Sequence, residues 1–127
     1  SPLPGPIAMY SPTVRRLVAE LPNQGRLPEA PSITVENPIC GDVLELFIKT
    51  ENGIITESRF QAAGCPAAIA AGAAITLMVQ GKSTEVARQI SVEQLIAFLE
   101  DLPSHKRHGA EMAIRALKSL ISTPVGR

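Results

Sequence analysis

The stretch DVLELFIKTENGIITESRFQA, Asp42 to Ala62, decides the architecture. Over Asp42–Thr50, Leu44, Leu46 and Ile48 fall at every second position, the period of a strand with one buried face. Asn52-Gly53 follows, the dipeptide that a type I′ turn prefers because both of its central residues need positive φ. Bulky residues resume from Ile54 to Ala62, so the segment reads as a β-hairpin. Ser32–Glu36, short and β-branched, adds a strand ahead of it. The three strands form an antiparallel meander with one face left for helices to cover.

Helical signals flank the meander on both sides. Before it, Ser11-Pro12 supplies an N-cap and a proline at the first helical position, and Val14, Leu17, Val18 and Leu21 make one stripe that ends near Pro22. Asn23 to Pro31, rich in Pro, Gly and Asn, reads as a connector with little regular structure. After the meander, Pro66 opens an alanine-rich run that stops at Gly81, a buried helix whose small side chains suit close packing on the sheet. A short helix is expected over Thr84–Gln89. Ser91 and Gln94 then form a capping box ahead of Val92, Leu95, Ile96 and Leu99. Pro103 separates that helix from a last one running from Ser104, with Ala110, Ala113, Ile114, Leu117 and Ile121 as its apolar stripe. A helix, three strands and then further helices make an α+β fold: a three-stranded antiparallel sheet covered on one face by helices.

The 127 residues allow one domain with one core, assigned to residues 9–122. Residues 1–8, with three prolines and no apolar periodicity, are read as a disordered or vector-derived tail, and 123–127 as a second tail. Twelve basic and twelve acidic residues cancel, so no broad charged surface for nucleic acid or anionic lipid is expected. No apolar run reaches the roughly 20 residues of a membrane span, and no secretory signal opens the chain, so the expected setting is the cytoplasm. Two cysteines are too few for a disulfide framework and read as free thiols.

The chemistry-bearing residues are few. Cys40 and Asp42 flank Gly41 where the connector enters the hairpin, and a bend there could turn a thiol and a carboxylate toward one ion. A free cysteine is also commonly a buried small hydrophobe, so Cys40 alone proposes nothing. Cys65 stands at the expected N-cap of the alanine-rich helix, where unpaired amides and the helix dipole favour a thiolate. Packing of a small residue at a strand-to-helix turn explains it equally well. His108 closes a basic run, His105-Lys106-Arg107-His108, that sits poorly at the positive end of a helix; a solvated charge run accounts for it nearly as well as a function. Two thiols, a carboxylate and an imidazole satisfy a tetrahedral zinc site and equally suit a small iron-sulfur cluster, but spacing alone does not bring them together. Neither a phosphate-binding loop nor a hydrolytic motif is present, so no enzyme is expected.

Four segments in order, Asn37-Pro38-Ile39-Cys40-Gly41-Asp42, Arg59 through Ala70, Gly81-Lys82-Ser83 and Leu102-Pro103-Ser104-His105-Lys106-Arg107-His108, resemble the IscU/NifU N-terminal scaffold family. The resemblance runs from about Tyr10 to Leu120. It implies the IscU/NifU (SufE-like) fold, in which the loop before a strand, the start of the alanine-rich helix and the start of the last helix converge on an exposed site. Family members build a two-iron, two-sulfur cluster with sulfur from a cysteine desulfurase and pass it to apo-proteins. By the resemblance Cys40 and Cys65 are two of the three cysteine ligands, Asp42 is the aspartate that tunes cluster lability, and His108 precedes the third cysteine position. That position is Gly109 here, so a ligand that is also the main sulfur acceptor in well-studied members is missing. The segment that Hsp70-type chaperones read as Leu-Pro-Pro-Val-Lys is Leu102-Pro103-Ser104-His105-Lys106 in this chain, without the second proline that favours an extended conformation.

The leading expectation is a non-enzymatic scaffold or carrier holding iron or a labile two-iron, two-sulfur cluster on Cys40, Asp42, Cys65 and His108, with Lys106 as a polar group behind them. Cysteine desulfurase and apo-protein clients are the expected partners. The alternatives are a zinc-binding regulatory or interaction domain, and a sulfur-transfer protein accepting persulfide on Cys65. In either metal-bound reading the ligands must be deprotonated, so affinity falls as the pH is lowered.

Overall fold

Asn52 and Gly53 both take positive φ, 53° and 78°, and the hairpin closes on them as the turn requires. The structure, a computed structural model, describes residues 5–121. Strands β1 (Ser32–Asn37), β2 (Asp42–Glu51) and β3 (Ile54–Ala63) pair antiparallel in the order β1-β2-β3, with Val35 opposite Leu44 and Leu46 opposite Phe60. A short turn, α1 (Gly5–Ala8), and helix α2 (Pro12–Glu20) precede the sheet. Helices α3 (Pro66–Val79), α4 (Thr84–Arg88), α5 (Val92–Phe98) and α6 (His108–Ile121) follow it.

The inward alternation of β2 is realised: Leu44, Leu46 and Ile48 are buried and face the helices with Phe60 of β3. Helix α3 packs on β2 and β3, and α6 on β1 and β2. Small side chains set how close α3 comes. A Cβ on Gly72 would stand 2.7 Å from the Phe60 ring and 2.9 Å from Leu44, so the helix backbone rests directly on these two sheet side chains. The stripe of α6, from Ala110 through Ile121, is buried as its spacing predicts. Ser11 caps α2 by accepting from the Val14 amide, and the Ser91–Gln94 capping box has both of its bonds.

Three local readings change. Residues 1–4 and 123–127 of the expected tails, with residue 122 of the expected domain, lie outside the described residues, while Gly5–Ala8 form a helical turn. The connector does more than join elements: the Gly25 amide donates to the Phe60 carbonyl and the Phe60 amide to that of Asn23, so it covers the outer edge of β3. Arg26 then lies over the Phe47 ring, 5.3 Å from its centroid, which helps bury this aromatic side chain on the sheet's outer face. The last helix starts later than expected. Pro103 holds an extended backbone, a 3-10 turn fills Ser104–Lys106, and α6 begins at His108.

Candidate metal centre

Asp42 is the first residue of β2 and shares the inward face of Leu44, Leu46 and Ile48, one step beyond the apolar core. Its carboxylate therefore points at the level where α3 and α6 begin, and only 2% of the residue is exposed. The turn from β3 into α3 closes over it. Gly64 has φ 130°, and a Cβ there would lie 2.0 Å from Asp42 Oδ1, so only glycine leaves room for the carboxylate.

Cys65 is the N-cap of α3 with an extended backbone. Its amide donates to Asp42 Oδ1 at 3.0 Å, and its Sγ lies 3.3 Å from Oδ2. His108, the first residue of α6, brings Nε2 to 2.8 Å from the same Oδ2 and 3.7 Å from Cys65 Sγ. One carboxylate thus joins both helix starts. Cys40 comes from the exposed loop between β1 and β2, where Asn37 Oδ1 accepts from the Ile39 and Cys40 amides and Gly41 turns at φ 76°. The ligand atoms of Cys40, Asp42 and His108 all lie within 4.8 Å of one another.

The electrostatics follow from this packing. Burial works against ionisation of Asp42, but the Cys65 amide, the Cys65 thiol and His108 together hold its carboxyl below the usual range. For Cys65 the balance is reversed. Burial pushes the thiol up, the Ala68 amide opposes this, and the Asp42 carboxylate adds to the rise. Of the two readings the sequence left even, a packed small residue or a ready thiolate, this environment favours the first: desolvation and a neighbouring anion outweigh the helix end.

The donors suit a metal. Tetrahedral bonds of about 2.0–2.3 Å to N, O and S place neighbouring ligand atoms roughly 3.3–3.8 Å apart. The Asp42–Cys65 and Cys65–His108 separations already lie in that interval, and Asp42–His108 needs only to widen as an ion replaces the proton between them. Asp42 keeps Oδ1 on the Cys65 amide and leaves Oδ2 to face the site. Cysteine and histidine also serve as iron-sulfur ligands.

The basic run divides by task. His108 enters the site, whereas Arg107 pairs with Glu93 and Glu111. His105 is exposed, and Lys106 is half-buried with no side-chain hydrogen bond or ion pair among the described residues. Sequence reasoning missed Gly64, whose role depends on a carboxylate 22 positions away, and Tyr10. Tyr10 is buried beside the site, its hydroxyl without a well-formed hydrogen bond but near the Ala67 backbone; burial, then Cys65 and Asp42, raise its pKa against the opposing effect of Ala67. Its one available signal was a lone aromatic directly before an N-cap serine.

Residues 9–125 match the NifU-like N terminal domain. The iron-sulfur cluster assembly scaffold protein IscU 1 of Archaeoglobus fulgidus is 36% identical over 114 residues, covering 89% of this chain and 74% of that protein. The scaffold protein IscU of Haemophilus influenzae is 44% identical over 86 residues, 67% of this chain and 68% of that one. Among solved structures, a putative iron-sulfur cluster assembly scaffold protein for the SUF system from Fervidobacterium islandicum superposes with TM-score 0.77 over 92% of this chain and 99% of that chain, at 16% identity. That likeness is one of fold. Among the described residues no helix is long and apolar enough to cross a membrane.

Proposed function

The chain belongs to the family of NifU-like N-terminal domains, and on that premise we propose that it is a scaffold-type carrier that holds iron or a labile two-iron, two-sulfur cluster on Cys40, Asp42, Cys65 and His108. The observation that carries this reading is the meeting of both helix starts on Asp42 Oδ2, with Cys40 in reach from the exposed loop. The cargo is passed on rather than transformed, so the protein is not an enzyme. Sulfur would come from a cysteine desulfurase, and apo-proteins would receive the cluster through the open Cys40 side. Chaperone-assisted release is not part of the proposal, because Leu102 is buried and Ser104–Lys106 are coiled into a 3-10 turn rather than offered as an extended segment.

Anaerobic reconstitution with iron and sulfide tests this reading. Thiolate-to-iron absorption is expected, reduced in Cys40→Ala and Cys65→Ala; a colourless wild-type protein would refute it. A single zinc ion is the second reading, favoured by ligand separations close to tetrahedral edges. Stoichiometric zinc in protein purified without added metal, resistant to exchange by iron, would select it. Persulfide relay through Cys65 alone is disfavoured, since its half-buried thiol has a raised pKa.

A further inference from the structure

Gly109 is buried one residue past His108, inside the first turn of α6. Its φ lies outside the left-handed region, so no backbone conformation calls for glycine. Alanine at such a position is ordinarily the better helix former. The space around it supplies the reason. An added Cβ would stand 2.7 Å from the Ala67 carbonyl carbon, 2.8 Å from its oxygen and 2.9 Å from the Ala68 amide nitrogen. All three belong to the backbone of the first turn of α3, so no rotamer change relieves the clash, unlike at Gly72, where side chains are met.

We infer that Gly109 is a positioning residue for the metal centre: its bare α-carbon seats the first turn of α6 directly on that of α3, and this seat holds His108 against Asp42 and Cys65. Cys65 and Ala67 begin the same turn of α3, and His108 and Gly109 begin α6, so the seat and the His108–Cys65 contact of 3.7 Å move together. A side chain at 109 would push the helix starts apart and draw Nε2 away from the carboxylate. The same seat leaves no volume for a further ligand at this position. The inference rests on the metal-binding reading for its effect on affinity, but not for the packing itself.

The test uses Gly109→Ala in the full chain, with cobalt(II) as the spectroscopic metal. The melting temperature of the metal-free variant is expected to fall by roughly 5 °C or more, whereas helix propensity alone would raise it. Cobalt affinity is expected to fall at least about tenfold, and this loss should vanish in a His108→Ala background, where there is no imidazole to misplace. Arg107→Ala, which removes the outer ion pairs of the same turn and leaves the seat intact, should bind cobalt within about twofold of wild type. A raised melting temperature in Gly109→Ala, a tenfold loss in Arg107→Ala, or a Gly109→Cys protein with added thiolate-to-cobalt absorption and undiminished affinity would each overturn the inference. Absence of cobalt binding by wild type would count against the metal-binding reading, and the sign of the metal-free melting shift would still decide the seat.

Discussion

The two cysteines occupy opposite kinds of environment. Cys65 is locked at the start of a helix, with its amide on Asp42 Oδ1, its sulfur beside Oδ2 and its thiol pKa raised. Cys40 rides on an exposed four-residue turn organised by the Asn37 side chain. One thiol is therefore part of the packed frame and the other is an exposed arm over it. Under the proposed carrier reading, the buried side orients the ligands and the exposed side leaves access. The asymmetry arises from Asp42, which lies under Cys65 and only within reach of Cys40.

Removing Asp42 is accordingly the strongest way to erase the difference. Asp42→Ala leaves the Cys65 amide without its acceptor and His108 without its carboxylate, and should destabilise the metal-free protein by about 1–3 kcal/mol. Urea unfolding measures this, and a loss below the error of the method would show that the carboxylate does not anchor the helix starts. Zinc affinity of the same variant should fall about 100-fold or more. A smaller effect is expected in the unmodified protein, where Cys40 should react with iodoacetamide roughly ten times faster than Cys65 and added zinc should protect both. Peptide mass spectrometry reads the two sites separately, and equal rates would contradict the division into frame and arm. Tyr10→Phe sets the smallest test. It removes a buried hydroxyl that has no well-formed hydrogen bond and should leave the metal-free protein as stable or up to about 1 kcal/mol more so, whereas a loss of stability would mean that the Ala67 backbone bonds the hydroxyl.

Much of the fold was legible because its causes are local. The Asn52-Gly53 turn, the alternation of Leu44, Leu46 and Ile48, the Ser91–Gln94 box and the proline-start, glycine-stop run from Pro66 to Gly81 each express a rule that acts within a few residues. The reading weakened where a neighbour distant in sequence intervened. The connector took its conformation from the edge of β3, and the last helix was delayed by the turn after Pro103. For the site, the candidate ligand types were visible and the resemblance named them, but the state of Cys65 stayed open between a packed thiol and a thiolate. A helix N-terminus can be recognised in sequence, whereas a carboxylate brought beneath it from another strand cannot.

By itself, then, the sequence determined the elements, the face of β2 that turns inward and the set of residues with metal-binding chemistry. Only the tertiary structure decided that Asp42 lies at the centre of the set, that Cys65 is a buried thiol and Cys40 an exposed one, and that Gly64 and Gly109 are required by packing rather than by conformation alone. The physical reason is range. Propensity, capping and periodicity are properties of neighbours along the chain, whereas desolvation, charge proximity and close backbone approach depend on segments that meet only when the sheet and both helix starts are assembled.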